Sequence, residues 1–317
     1  MGIFVEDWPA TFGAPYLVPP DDPGSATAVL IEDGASLSVH TAERGERYDG
    51  AIAFVDGVRR GEAYLYQHDP ATGAIARGVA GGHACGAVIG RNGVGAEFDE
   101  TRIRRLVIWG SGLVGDLPAV AGGWSWQSVS IADPSPDAPL RELQTRMRQE
   151  EGRLAEALCD KRCLVLIDGP LNFLRSRDLP VVGYVKTHHR ALLALEHHAR
   201  IPQLRAGERT SLFRLGEDRY SCYLRLAAPS PTAGPWSGIV RLEIPQSAGL
   251  GAAKKVANLA AARLPRFAGI PHRDIRAPQN LQPLGALEHR LRHLLGNAGL
   301  ATRAVREAVA RLGGREG

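Results

Sequence analysis

The sequence predicts a mixed α/β fold for its 317 residues, because short apolar strands alternate irregularly with amphipathic helical stretches. Five segments have the length and apolar character of buried strands: AIAFVDG (51–57), GEAYLYQ (61–67), RRLVIWG (104–110), CLVLIDG (163–169) and VVGYVK (181–186). Between Pro139 and Lys161, leucines and a methionine recur at helical spacing, and Asp137 fits as the N-cap. This order favours a mixed sheet flanked by helices over a purely parallel alternation.

The other elements are predicted with the same patterns. The first 50 residues are rich in Pro, Gly and Asp and predict an irregular lead-in with short strands, while 51–317 form the main domain. VDGVRRG is predicted to turn between the first two strands, and a second helix is predicted over His188–Ala199. RYSCYLRLA and SGIVRLEIP predict a β-hairpin insertion at about 200–245. Three C-terminal helices are predicted over 251–264, 284–295 and 302–312.

Composition and charge restrict the classes of function. The net charge of +4 suits contact with phosphate backbones without establishing it. The glycine-rich stretch at 81–95 contains no GKS or GKT, so we predict a loop or hairpin there and not a phosphate-binding P-loop. No secretory signal and no apolar run of about 18 residues is present. We therefore expect a soluble, cytoplasmic protein that makes no membrane contact.

Two aspartates occupy equivalent places in the pattern. Asp56 and Asp168 each end an apolar strand and precede a glycine. An acid at a strand end points into the space where open α/β sheets bind ligands, and the glycine lets the backbone turn and leaves room for a ligand. The alternative is that each Asp-Gly pair simply starts a turn.

A third acid lies on the predicted helix. Glu151 is four residues after Met147 and three before Leu154, which places it on the apolar face. A carboxylate there is costly unless it is paired, protonated or bound to a cation. The alternatives are a salt bridge with a buried arginine and an apolar face that ends early. Glu150 lies about 100° further round the helix and is predicted to be solvated.

Three acids on two strands and one packed helix predict a site for a hard cation. Carboxylate oxygens suit Mg²⁺ or Mn²⁺, and such ions support phosphodiester hydrolysis by activating water and stabilising the leaving oxygen. Asp56, Glu151 and Asp168 are the predicted metal ligands.

These motifs, in their order and spacing, resemble those of the NurA nucleases. AIAFVDG, the helix with Glu151, CLVLIDGPL and VVGYVK carry the resemblance, which spans roughly 51–295. It implies a ribonuclease H-like fold, Mn²⁺- or Mg²⁺-dependent cleavage of DNA, a homodimer, and work with a HerA-type hexameric ATPase in DNA end processing. By position, Asp56, Glu151 and Asp168 match the family's acids, and Lys186 lies near the family's site, where it could bind the scissile phosphate or stay solvated.

The C-terminal part departs from the family pattern. Family members usually have a Tyr-Pro segment that leads into a helix with a histidine near the metals. Here the stretch is APQNLQPLGALEHRL, in which Pro283 and His289 fit and the tyrosine is absent. His289 is thus a candidate catalytic residue or a residue of a solvated helix face. Polar groups could come instead from Gln279, Asn280 or Asp274.

Arginines near the motifs are candidates for contact with DNA. Arg59 and Arg60 directly follow the first acid motif and are the best placed for phosphate contact. The others are Arg102, Arg104, Arg105, Arg175, Arg177 and Arg190. Basic runs of this kind are usually just solvated faces.

Three functions compete on this sequence. The first is a metal-dependent nuclease for DNA end processing or repair. The second, motivated by the altered C-terminal motif, is a non-catalytic NurA-like module that binds DNA or docks on a HerA-type ATPase. The third is a phosphotransferase of the actin and sugar-kinase type, for which VDGVRR is a poor phosphate loop.

Overall fold

The fold is taken from a computed structural model of the chain, which describes most of its residues. They are 2–5, 28–41, 50–68, 73, 75–91, 95–159, 163–174, 181–188, 191–229, 233–270, 272–274 and 276–313. The described strands are β1 (Gly2–Val5), β2 (Val29–Leu30), β3 (Val39–Thr41), β4 (Ile52–His68), β5 (Ile75–Arg91), β6 (Gly95–Trp109), β7 (Gln127–Ser130), β8 (Leu164–Asp168), β9 (Val181–Val185), β10 (Glu208–Thr210), β11 (Phe213–Leu215), β12 (Arg219–Arg225) and β13 (Ile239–Pro245). The α-helices are α1 (Ala138–Cys159), α2 (Leu195–His198), α3 (Leu250–Arg263), α4 (Gln282–Leu294) and α5 (Ala298–Gly313).

These strands form one large mixed sheet flanked by helices, so the predicted α/β class is confirmed. The main path of the sheet runs β2-β11-β12-β13-β9-β8-β4-β5-β6-β7. Strands β4, β5 and β6 are antiparallel neighbours, β8 lies parallel to β4, and β9 lies parallel to β8. The predicted hairpin is β12 and β13, and β13 pairs with β9, so the hairpin extends the sheet.

The helices cover both faces of this sheet. On one face, Leu154 and Leu158 of α1 pack with Ala53 and Val55 of β4. On the other, leucines of α4 and alanines of α3 pack with Phe54 and neighbouring side chains of the same sheet. Successive residues of a strand point to opposite faces, so β4 contributes alternate side chains to two separate cores.

The predicted turn at VDGVRRG is wrong, because β4 continues through it to His68. Arg59 pairs with His83 and Arg60 with Gly82, and the pairing only shifts at an irregularity between Gly61 and Ala63. A strand of this length is retained because β5 pairs with it nearly throughout. The predicted break at Asp-Gly depended on local turn propensity, which tertiary pairing overrides here.

The described part of the glycine-rich stretch at 81–95 is confirmed as part of a hairpin, β5 and β6, and its residues 81–90 are buried in the sheet, while residues 92–94 lie outside the described ones. Its glycines make room for α4. A Cβ on Gly86 would lie 3.2 Å from Leu287 and Leu291, and one on Gly82 would lie 3.4 Å from Leu295. Small residues on this strand therefore let a helix approach the sheet closely.

Four of the predicted helices are found, and a fifth differs in extent. The helices predicted over 139–161, 251–264, 284–295 and 302–312 are found as α1, α3, α4 and α5, apart from residues 160–162, which lie outside the described residues. The helix predicted over His188–Ala199 is wrong in extent, since only α2 is helical and residues 189–190 lie outside the described ones. In the described part of the chain, no helix is long and apolar enough to cross a membrane.

Candidate metal centre

The first two predicted acids lie side by side on parallel strands. Asp168 ends β8 as predicted, and Gly169 after it has a φ of 109°, so this glycine does turn the backbone. Asp56 lies inside β4 and not at its end. The register pairs Val55 with Ile167, so Asp56 is the next residue beside Asp168. Strand alternation directs both carboxylates to the face covered by α4.

The third acid reaches this point from the opposite face, where α1 packs. Glu151 is 1% exposed, so the prediction of a buried acid on the apolar face of the helix is confirmed. It lies directly over Gly57, where a Cβ would be 2.6 Å from Glu151 Oε1, 2.9 Å from Met147 Cγ and 3.0 Å from Cys85 Sγ. Gly57 therefore makes room for the carboxylate and does not turn the chain.

This contact makes Gly57→Ala a sharp test of the site. The added methyl group must displace the Glu151 carboxylate, and we expect it to cost about 1–3 kcal/mol of stability by overpacking. We also expect at least about tenfold weaker Mn²⁺ binding, because the position of a ligand is lost. Isothermal titration of Mn²⁺ measures this effect.

Gly90→Ala on β5 is the matched control, since its Cβ would meet its nearest neighbour, Phe267, at an ordinary 3.6 Å. Mn²⁺ affinity equal to wild type in Gly57→Ala would contradict the assignment of Glu151 as a ligand.

Glu151 has one oxygen paired and one without a partner. Arg148 Nη1 donates to Glu151 Oε2 at 2.9 Å and to the Asp168 carbonyl at 2.6 Å. Glu151 Oε1 is buried and accepts no well-aligned hydrogen bond from the described residues, because the nearby Gly57 amide, which lowers the pKa of Glu151, donates to Asp56 Oδ1. The salt bridge weighed from the sequence is thus present, but it satisfies half of the carboxylate. An unpartnered buried oxygen is costly and is the kind of atom that a cation would satisfy.

Asp168 is held by a second cation. Lys186 Nζ lies 2.6 Å from Asp168 Oδ2 and donates to Asn280 Oδ1 at 3.1 Å. Asn280 in turn donates through Nδ2 to Asp274. Two of the polar residues that the sequence offered from the C-terminal part, Asn280 and Asp274, therefore join the site as a chain of hydrogen bonds.

Asp56 is the least compensated acid of the three. It is 7% exposed, accepts a hydrogen bond from its neighbour's amide, Gly57 N, at 2.8 Å, and forms no ion pair within the described residues. Burial, followed by the charges of Asp168 and Glu151, raises the pKa of Asp56 well above its usual range. Burial is also the main cause that raises the pKa of Glu151, against the opposing charge of Arg148.

The arrangement fits a divalent cation in its donor set and charge. Three carboxylates face two cationic side chains, Arg148 and Lys186, which leaves an excess of negative charge when all are ionised. The three carboxylates do not bring one oxygen each within 4.8 Å of one another in the described structure. Buried like charges repel, and a divalent cation would oppose that repulsion and draw the acids together.

A different cluster does meet that spacing. Glu32, Asp33 and His40 bring ligating atoms within 4.8 Å of one another. Their oxygens already have partners, because Arg209 donates to both oxygens of Glu32, at 2.7 and 2.9 Å, and Ser211 and His40 contact Asp33. We interpret this cluster as a hydrogen-bonded network that ties the lead-in segment to the sheet.

Several predicted residues lie away from the acids. His289 is exposed on α4 and contacts none of the three acids, and Arg60 is engaged with Glu62 and with the carbonyls of Leu295 and Gly296 at the end of α4. Arg59 donates to Gln144 of α1, further along the strand. Arg60 is therefore engaged with an acid, whereas the partner of Arg59 is neutral and the phosphate contact of Arg59 stays a prediction.

Some of the other charged residues named from the sequence are paired, and others lie outside the described residues. Glu150 is buried and paired with Arg102 and Arg153, so its predicted solvation is wrong, because β6 packs beside this side of α1. Arg105 pairs with buried Glu62. Arg104 is described without an assigned role, and Arg175, Arg177 and Arg190 lie outside the described residues. The four cysteines are buried and form no disulfide.

Arg148 is the site residue that sequence reasoning missed. It lies three residues before Glu151, the spacing that lets two side chains of a helix meet, and this was the available signal. Comparison with known families adds no further assignment: no protein-family model matches the chain, and no curated protein matches it.

Proposed function

We propose that the protein is a divalent-metal-dependent deoxyribonuclease with a ribonuclease H-like core. The core consists of the antiparallel strands β4, β5 and β6, the acid-bearing helix α1, and the parallel strands β8 and β9. The observation that carries the proposal is the proximity of three acids that are far apart in the chain. Asp56 and Asp168 are neighbours on parallel strands, and Glu151, with its unpartnered carboxylate oxygen, packs against Gly57 next to Asp56.

In this proposal the acids of the site bind the cation and a lysine binds the substrate. Asp56, Glu151 and Asp168 would hold Mn²⁺ or Mg²⁺, which supplies an activated water and stabilises the leaving oxygen. Lys186 lies beside Asp168 and is 22% exposed, so its ammonium group can donate to a phosphate oxygen of the substrate. Arg148 fixes one oxygen of Glu151 and the end of β8.

The partners in this proposal follow from the NurA resemblance. They are DNA as the substrate, a HerA-type hexameric ATPase and a second copy of this chain, in DNA end processing or repair inside the cytoplasm. Of the two arginines beside the first acid, Arg60 is paired with Glu62, while Arg59 donates only to the neutral Gln144 and keeps a charge for a phosphate contact. The other DNA contacts of this proposal lie elsewhere on the surface.

One observation favours a non-catalytic NurA-like module as the second candidate. Arg148 is bonded to Glu151, and both Glu151 and Asp56 are nearly inaccessible to solvent. In that reading the ion pair is a permanent part of the core, and the protein binds DNA or docks on the ATPase without cleavage.

A cleavage assay separates the two functions. We expect the purified chain, alone and with a HerA-type ATPase, to degrade labelled linear DNA in Mn²⁺ or Mg²⁺ but not in EDTA. Asp168→Asn should reduce the rate at least about 100-fold, because even residues that only support metal ligands contribute 10–100-fold. DNA binding without cleavage in any divalent metal would overturn the nuclease proposal and favour the non-catalytic module.

A further inference from the structure

A large cleft opens beside the acid site, on the face of the sheet that α4 covers. Its volume is about 1120 Å³, and it lies between the first turns of α4, the described residues of the segment 266–280 and the strand end at 96–98. Pockets for small molecules usually have volumes of about 300–1,000 Å³. The cleft is therefore large enough for more than a single mononucleotide-sized ligand.

The walls of the cleft offer unpaired positive charge. Arg266 and Arg273 line it, are exposed, and form no ion pair with any residue of the described part. Arg276 also lines it but is paired with Asp274 and Glu288. Arg292 also pairs with Glu288, and Arg91 pairs with Glu97, so each acid of this wall has a cationic partner. The guanidinium groups of Arg266 and Arg273 therefore remain available for an anion such as a phosphodiester.

An aromatic ring stands at the same cleft. Phe98 lines it with 44% of its surface exposed. The guanidinium group of Arg290 lies 4.6 Å from the centre of the ring. Exposed aromatic rings beside basic groups are the combination with which proteins bind unpaired bases and their phosphates.

The cleft is joined to the acids by a shared residue. Asn280 lines the cleft and accepts a hydrogen bond from Lys186, which contacts Asp168. Gly285, in the first turns of α4, keeps this junction tight, since a Cβ there would lie 3.2 Å from Asn280 Nδ2. Asn280 is thus the residue of the cleft wall that is hydrogen-bonded, through Lys186, to the acid site.

We propose that this cleft binds one strand of nucleic acid and leads it to the acids. Arg266 and Arg273 contact phosphates, and Phe98 stacks on an unpaired base. A duplex does not satisfy this site, because its bases are already stacked and cannot cover the ring. The inference rests on the proposed nuclease function for its substrate class and adds the place and the strandedness of binding.

Binding is measured without cleavage, in EDTA, by fluorescence anisotropy with a labelled single-stranded DNA of about 15 nucleotides. Arg266→Ala/Arg273→Ala should bind about tenfold more weakly at low salt. The slope of log affinity against log salt should fall by about 1.4, since each lost phosphate contact of a single strand contributes about 0.7. Phe98→Leu keeps an apolar side chain but removes the ring, and it should also bind about tenfold more weakly.

Arg303→Ala/Arg306→Ala is the matched control. Both residues are exposed on α5 and unpaired within the described structure, and their loss changes the net charge equally. This variant should bind within about twofold of wild type. Equal losses in the control and the cleft variants, or unchanged binding in the cleft variants, would overturn the proposal. So would equal affinity of wild type for a duplex of the same length, or displacement of the strand by micromolar inorganic phosphate.

The two proposals can fail separately. If the protein never cleaves DNA but its cleft variants lose binding, the cleft proposal is supported and the nuclease proposal is refuted. If the protein cleaves DNA but its cleft variants bind normally, the nuclease proposal is supported and the cleft proposal is refuted.

Discussion

Asp56→Asn is expected to abolish cleavage and, at the same time, to stabilise the metal-free protein. Asp56 is buried beside two other acids and has no cationic partner among the described residues. Its carboxylate therefore opposes folding at neutral pH, and the neutral amide should raise the free energy of unfolding by on the order of 2 kcal/mol. Activity should fall at least about 100-fold, because a metal ligand is lost.

The pH dependence of stability tests independently whether the Asp56 carboxylate destabilises the folded protein. Burial and neighbouring acids raise the pKa of Asp56 in the folded protein. In the unfolded chain the pKa of an aspartate is about 4. The folded protein then binds more protons than the unfolded chain as the pH rises from about 4, so the free energy of unfolding falls with rising pH. Chemical denaturation of wild type and Asp56→Asn should give curves that converge near pH 4 and separate towards neutral pH.

Glu243 provides the matched control for this prediction. It is also buried, but Arg219 and Arg241 neutralise both of its oxygens, at 2.8 and 2.7 Å. Glu243→Gln should therefore destabilise the protein by about 3 kcal/mol or more, as expected when one partner of a buried ion pair is removed. If Asp56→Asn destabilises the protein in the same way, Asp56 is a structural acid and the metal site is refuted.

Arg148→Met is expected to weaken the metal-free protein and to strengthen its binding of Mn²⁺. Arg148 neutralises Glu151, whose charge is the main cause that raises the arginine's pKa above its ordinary value. Its removal leaves a buried carboxylate unpaired, at a cost of about 3 kcal/mol. A divalent cation should recover this loss, because the positive charge that repelled it is gone. Isothermal titration should show at least about tenfold tighter Mn²⁺ binding, and melting curves a larger stabilisation by Mn²⁺.

Arg146→Met controls for the loss of an arginine from the same helix. Arg146 is paired with Glu142 at a partly exposed position, where such a pair contributes about 1 kcal/mol or less. Stability and metal affinity should both stay close to wild type. Weaker Mn²⁺ binding in Arg148→Met would instead mean that the guanidinium orients Glu151 as a ligand and does not oppose the cation.

Much of the site was predictable because its signals are local. The apolar face of α1 identifies Glu151 by its spacing from Met147 and Leu154, and burial confirms it. Asp168 and Gly169 end β8 as the pattern suggested, since a glycine with positive φ is needed there. A periodic apolar pattern and a turn glycine both act within a few residues, so the sequence alone reports them.

The parts that were missed depend on contacts between distant segments. The Asp-Gly pair at 56–57 has the pattern of a turn, but β5 pairs with β4 through it. Gly57 is needed there because Glu151 of α1 occupies the space that a side chain at position 57 would fill. Glu150 looked solvated until β6 supplied Arg102. The sequence suggested Gln279, Asn280 and Asp274 as C-terminal polar residues of the site but could not select Asn280 among them. The position of the segment before α4 is fixed by packing and not by local pattern.

The close approach at Gly57 provides a criterion for sorting related chains. A comparison restricted to the three acids would treat a chain as competent whenever all of them are present. With alanine or any larger residue at the position of Gly57, however, the helix acid could not lie where it lies here, 2.6 Å from the site of the missing Cβ. Homologues that keep the acids and lack this glycine are therefore expected to have lost the ability to bind metal.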